Sequence, residues 1–476
     1  MNKYIRQAQY KKAMPTGRQG FSKLILVIVI GLALVIAGGI FWYSRHSVQK
    51  SSSSKTPSIT TDVSSLSDAV CTNPPVDTAQ VDIFDSHVHL SSKVSLSRII
   101  SEMDKAKVSV ANMYSGTLED SSKYPGRFII FADTPDQPQL STWLKQGQAF
   151  VTSTEEKLKT GKYYGIGEAN LRFYSGNLVP PPTVYIPADN PVWLQLVDLS
   201  AKYHVPISFH FVPDDPAANV AFEKMLSHNK DAILIWAHLG FNNMPLNSAM
   251  LNDYLLRYPN LYFDTAGIQN MQNPLPQPNS NWARIADQSN GQLNEEWKKF
   301  FETWNSRIMF ATDAGGGSNS LERWLNYTSK TSDKAPPDAV GHWTRLLSNL
   351  DGNAAKNILG DNARVLFLKE KRVPYNYAVT SDGKCYPVSI SSSSSVSAPT
   401  LDPNTHTITF TLSGSTETTG NATIIVPTTL VGKNFTVSVD GQSVKPKSTS
   451  NSADTTISLD YAGGIKSIVL GRSGTP

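Results

Sequence analysis

Eight short apolar runs recur between residues 81 and 313, and most of the gaps between them hold an amphipathic stretch. The runs are VDIFD near 81–85, VSVANMY at 108–114, RFIIFAD at 127–133, YYGIGE at 163–168, PISFHF at 206–211, AILIWAH at 232–238, NLYFDTA at 260–266 and RIMFATD at 307–313. Runs that are continuously apolar, rather than alternating, suit strands covered on both faces, as in a parallel sheet. SLSRIISEMDKA before the second run and WLQLVDLSAKYH before the fifth read as helices. Eight strand-helix units closing on themselves predict an α/β fold, a TIM-type (β/α)8 barrel over 81–372.

The rest of the chain divides around that core. Residues 24–43, LILVIVIGLALVIAGGIFWY, carry no charge, and about 20 apolar residues suffice to cross a hydrocarbon layer of ~30 Å. Six cations and no acid precede them in residues 1–23. An uncleaved transmembrane signal anchor is expected, with a cytoplasmic basic N-terminus and everything after Tyr43 outside the membrane. The six cations exceed the formal net charge of +4, so the remainder is net acidic by two. Such a balance gives no reason to expect a nucleic-acid partner. Residues 44–80 are rich in Ser and Thr and read as a tether. A second Ser run predicts a linker over 373–399.

Beyond it, HTITFTLSG, NATIIVP, NFTVSVDGQSV, TTISLDY and IKSIVLG alternate apolar and polar positions, with Asp440-Gly441 as a turn. A small all-β sandwich is expected over 400–476, as an accessory module that is structural or contacts the cell wall. The only two cysteines, Cys71 and Cys385, flank the barrel and are a disulfide candidate in an oxidising compartment, with two free thiols as the alternative.

Six chemistry-bearing residues stand at or just past the ends of separate runs: His87 and His89, Glu168, His210, His238 and Asp313. Imidazole and carboxylate are donors that zinc and related divalent cations accept, and strand ends gather distant residues at the mouth of a barrel. His87 and His89 are two apart, so on a strand they point the same way and can reach one cation. His204 and His228 fall where helices should end and are explained by the helix dipole.

The motifs DSHVHL, GIGE, SFH, WAHLG and FATDAG, with ILGDNARVLF at 358–367 as a closing helix, resemble the metal-dependent amidohydrolase superfamily over residues 81–370. The likeness implies one or two divalent ions, zinc foremost. In the TatD-like and phosphotriesterase-like pattern, His87, His89 and Asp313 would hold one ion, His210 and His238 the other, and Glu168 would bridge. In the amidohydrolase-related branch, one ion would sit on His87, His89, His210 and Asp313, with Glu168 behind them and His238 orienting water. Asp313 is the expected proton acceptor, and His238 the alternative base if it is not a ligand.

The resemblance implies a hydrolase acting through metal-activated water on an ester, lactone, amide or phosphoester of a small-molecule substrate. A decarboxylase on the same scaffold is the alternative, with Arg172 anchoring the substrate carboxylate. A non-catalytic wall-binding protein is the third reading.

Overall fold

The computed structural model describes residues 77–89, 95–114, 116–134, 140–174, 182–240, 246–268, 284–287, 289–314, 339–432 and 434–472. The anchor segment 24–43, the tether up to residue 76 and Cys71 lie outside them, while Thr78–Gln80 at the tether's end form a 3-10 turn. No helix among the described residues is long and apolar enough to cross a membrane.

The eight apolar runs all become parallel strands: β1 Ile83–His89, β2 Val108–Tyr114, β3 Phe128–Ile130, β4 Ile166–Phe173, β5 Pro206–Phe211, β6 Ile233–Trp236, β7 Leu261–Asp264 and β8 Ile308–Met309. They pair in sequence order within two sheets, β1 to β3 and β4 to β8. Two bridges close the ring. Ala132 pairs with Ile166 between β3 and β4, and Val88 pairs with Ala314 between β8 and β1. His89 N also donates to Ala314 O at 2.6 Å, and Ser86 N to Phe310 O at 3.1 Å. A closed ring leaves no sheet edge, and all strand C-termini meet at one mouth.

Short helices wrap the barrel and are cut to length by their caps. In α1, Leu96–Ala106, the Ser95 side chain accepts from Arg98 N at the start, and left-handed Lys107 ends the helix, while Ile99 and Met103 turn inward one turn apart. His204 is the left-handed cap of the helix Pro191–Tyr203, and His228 ends the helix Pro216–His228 beside Asp198 at 3.1 Å. Both histidines therefore have the helix-end positions that their spacing suggests.

The segment at 358–367 closes the opposite end of the barrel. Asn362 Nδ2 donates to Asn305 O and Ile308 O, both at 2.6 Å, and Phe310 N donates to Ile358 O at 2.7 Å. Gly360 lies so close to β1 that a Cβ there would stand 2.5 Å from Asp82 O, which only glycine tolerates.

The antiparallel region begins earlier than the Ser-rich composition suggests. Residues 373–399 are not a linker: β9 Tyr375–Ser381, β10 Lys384–Ser392 and β11 Ser395–Val396 lie within them. They join β12 Thr400–Asp402, β13 Thr407–Ser413, β14 Thr419–Pro427, β15 Phe435–Val439, β16 Gln442–Val444, β17 Lys447–Ser450, β18 Asp454–Ala462 and β19 Ile465–Arg472. One sheet runs β9-β10-β14-β18-β17; the other runs β11-β13-β19-β15-β16, with β12 also on β13. Val388, Ile390 and Val396 point into the core between them, which also holds Phe410, Leu412, Ile424, Ile457 and Leu470. The serines at alternate positions are the outward half of a strand pattern, not a tether. Cys385, on β10, is disulfide-bonded.

Ser395, buried at 1% exposure unlike the outward serines, meets the barrel in a polar seam. Ser395 Oγ accepts from Ser306 N at 3.0 Å and lies 2.7 Å from Ser306 Oγ. Fully buried Asn305 accepts at Oδ1 from Asn357 Nδ2 at 2.8 Å and from Tyr375 Oη at 3.0 Å, and donates from Nδ2 to Glu302 O at 2.7 Å. Removing this hub strands two buried donors, at about 1–3 kcal/mol each. Asn305→Ala should therefore lower unfolding free energy by about 2–6 kcal/mol in a urea titration. Barrel and sandwich should melt together in the parent protein; separate transitions there would show that the seam does not couple them.

Candidate metal centre

Five strands deliver the six residues to the mouth of the barrel. His87 and His89 are on β1, Glu168 is on β4, His210 on β5, and His238 and Asp313 follow β6 and β8. His238 and Asp313 both adopt left-handed backbone, with φ of 63° and 58°. Non-glycine residues pay for that conformation, and here it turns each side chain back over the strand ends. Gly167 has φ of 130° and a virtual Cβ only 2.6 Å from Ser208 O, so no side chain fits where β4 approaches β5 beside Glu168. The Glu168 carbonyl accepts from Thr134 Oγ1 at 2.6 Å.

Donor atoms converge closely. His87 Nε2 lies 3.1 Å from His89 Nε2 and 3.4 Å from Glu168 Oε2. Asp313 Oδ1 is 3.7 Å from His87 Nε2 and 3.5 Å from His89 Nε2, and His89 Nε2 is 3.5 Å from Glu168 Oε2. The other carboxylate oxygen faces away from that group: Glu168 Oε1 is 3.2 Å from His238 Nε2 and 3.9 Å from His210 Nδ1. Two sets of three donors, His87 with His89 and Asp313, and His87 with Glu168 and His238, have the spacing a cation needs. All six residues that the sequence singles out as ligands are thus brought together.

The protonation pattern fits a cation. Asp264, at the end of β7, accepts at Oδ2 from His87 Nδ1 at 3.0 Å. His238 Nδ1 donates to Ala266 O at 2.8 Å. Each ring spends its N–H outward and keeps Nε2 for the centre. His210 turns Nδ1 toward Glu168, and its Nε2 is buried with no hydrogen-bond partner among the described residues. Burial and the neighbouring His238 push His210 down to about 3, so its ring stays neutral and able to ligate.

Elsewhere charge is trapped. Burial works to lower His87, but the charges of Glu168 and Asp264 outweigh it and hold the imidazole well above its ordinary range. Burial would raise Glu168, yet His87, His238 and His89 hold it well below the usual carboxylate range. A divalent ion held at this position would take over the balancing of these buried carboxylates.

Exposure separates the members. His87, His210, His238 and Glu168 have side chains at most 6% exposed, whereas His89 and Asp313 are 24% and 20% exposed. The solvent-facing edge of the cluster is therefore His89 and Asp313.

Four further residues complete the setting. Asp85 accepts at Oδ1 from Thr312 N at 3.1 Å and from His87 N at 3.3 Å, and at Oδ2 from Thr312 Oγ1 at 2.6 Å, tying β1 to the turn that carries Asp313. The Tyr114 ring stands edge-on to His87, with centroids 4.6 Å apart. Tyr114 ends the second run, and Asp264, two residues inside the end of the seventh run, ends strand β7.

Arg172 is already partnered. Its guanidinium is buried on β4, where Nε donates to Asp214 Oδ1 and an Nη to Asp215 Oδ2, both at 2.7 Å, and it stacks on Tyr185 at 4.7 Å. Two carboxylates balance its charge, and the pairing braces the β4 and β5 ends.

No family model matches the chain, and no curated protein matches it. Among solved structures it is similar to a dihydroorotase from Campylobacter jejuni, at 13% identity over 66% of this chain and 88% of that one, with a TM-score of 0.37. An amidohydrolase 2 from Bifidobacterium longum subsp. infantis gives 13% identity over 61% and 100%, with a TM-score of 0.35. An amidohydrolase from Mycobacterium avium subsp. paratuberculosis gives 12% over 58% and 73%, with a TM-score of 0.30. At such values the chemistry has to be read from the site's own geometry.

Proposed function

We propose that this protein is a metal-dependent hydrolase that uses an activated water on an ester, lactone, amide or phosphoester. One observation carries the reading: four imidazoles and two carboxylates from five strands turn their donor atoms toward one another within 3.1–3.9 Å at the barrel mouth. Core packing gives no reason to bury so many polar groups face to face.

Glu168, with one oxygen toward His87 and His89 and the other toward His238 and His210, suits a bridge between two cations. His87, His89 and Asp313 would hold one, and His210 and His238 the other. A bound divalent ion supplies a Lewis acid that polarises the scissile group and lowers the pKa of water from 15.7 toward about 7.

The chain's own residues then divide the work. Asp313, the partly exposed carboxylate, takes the proton of the attacking water and returns it to the leaving group. His238 is set behind Glu168 with both nitrogens engaged, which favours a ligand over the base. A decarboxylase would need a cation for the substrate carboxylate, and Arg172, its candidate, is already neutralised.

We propose further that residues 24–43 hold the chain to the membrane with both folded parts outside. The basic residues ahead of that segment support this orientation, and the disulfide of Cys385 suits an oxidising compartment. Elemental analysis of the full chain, coupled to an ester, lactone, amide and phosphodiester panel, tests the central claim. Two divalent ions per chain and hydrolysis of one class are expected; protein without bound metal that leaves every substrate intact would refute it.

A further inference from the structure

We infer that Asp264 is a positioning residue that fixes His87 and His238, from two different strands, as inward-facing nitrogen donors. The inference rests on the metal reading for its purpose, but its geometry stands by itself. Asp264 is 1% exposed, and a buried carboxylate is kept only where its oxygens are used. Oδ2 accepts from His87 Nδ1 at 3.0 Å. Oδ1 accepts from the backbone N–H of His238 at 2.9 Å and of Ala266 at 3.1 Å. Ala266 in turn offers its carbonyl to His238 Nδ1 at 2.8 Å.

A single carboxylate therefore acts on both rings by different routes. It takes the Nδ1 proton of His87 directly, which leaves Nε2 facing His89 and Glu168. It reaches His238 through the backbone, by holding the left-handed turn after β6 and the Ala266 peptide whose carbonyl orients that ring. An acceptor at this position keeps a proton on His87 Nδ1, so that Nε2 is the nitrogen left to bind a cation.

Asp264→Asn separates this role from simple packing. The amide has the same shape, and its oxygen can keep both backbone N–H groups. Its NH2, however, then faces His87 Nδ1 and donates to it, which moves the ring proton to Nε2 and blocks the donor.

Two measurements on the full chain test this. In protein with 15N-labelled histidine, the His87 signals, assigned by their loss in His87→Gln, should show a proton on Nδ1 with or without added zinc. In Asp264→Asn that proton should leave Nδ1 for Nε2, and zinc affinity, by competition with a chromophoric chelator, should fall about 10–100-fold. A bare His87 Nδ1 in the parent protein would overturn the inference without any variant. So would an Asp264→Asn protein that keeps both the Nδ1 proton and full zinc affinity. A parent protein that binds no zinc but retains the Nδ1 proton and loses it in Asp264→Asn would support the positioning role and sink the metal reading instead.

Discussion

Asp313→Asn should yield a folded protein that has lost about 10²–10⁴-fold in kcat, the usual span for removal of a general acid-base group. The side chain is the exposed carboxylate of the cluster, 20% accessible against 6% for Glu168. On the proposed hydrolytic reading it is thus the acid that incoming water and leaving group can reach. Its backbone is held independently of the carboxylate, since Asp313 N donates to His87 O at 3.0 Å and Ala314 N to Thr312 Oγ1 at 3.2 Å. Asparagine preserves the volume and one oxygen donor, so KM should move much less than kcat. The substrate that the parent protein hydrolyses provides the assay, and far-ultraviolet circular dichroism controls for folding. A variant within threefold of parent kcat would remove Asp313 from the proton path.

Much of this architecture is legible in the sequence because barrel strands are buried on both faces. The eight apolar runs need no register, and their C-terminal ends mark the mouth directly, which is why His87, Glu168 and Asp313 could be placed together. Boundaries were less legible. The fourth run reads as ending at Glu168, yet β4 continues to Phe173, because Leu171 and Arg172 are also buried there. The Ser run near 390 misleads for a physical reason: composition marks it as tether, while its alternation with Val388 and Ile390 marks it as strand, and only packing partners decide. Arg172 misleads similarly, since an arginine near a mouth looks available until Asp214 and Asp215 come in from another loop. Asp264 was legible in principle, as an acid near the end of the seventh run, but an orienting acid and a ligating acid have the same sequence signature. The distinction lies in which atom faces the centre.

The second large effect should follow Glu168→Gln. If this carboxylate joins two cation sites, its loss removes a donor from both, and metal content should fall from two ions per chain to one or fewer. The amide has almost the same shape, and the Thr134 hydroxyl still holds the backbone carbonyl, so the change is one of charge rather than position. A neutral side chain beside His87, His89 and His238 cannot balance the positive charge of two ions in a site this buried. With several kcal/mol of transition-state stabilisation lost, kcat/KM should drop about 10³-fold, since about 1.4 kcal/mol corresponds to each factor of ten. Added zinc should restore little of it, unlike a variant whose only defect is weaker affinity. Metal content read together with activity separates the arrangements considered for this mouth. Retention of one ion with near-parent activity would mean that Glu168 lies behind a single-metal centre on His87, His89, His210 and Asp313. Retention of two ions would mean that the facing oxygens of Glu168 are not a bridge at all.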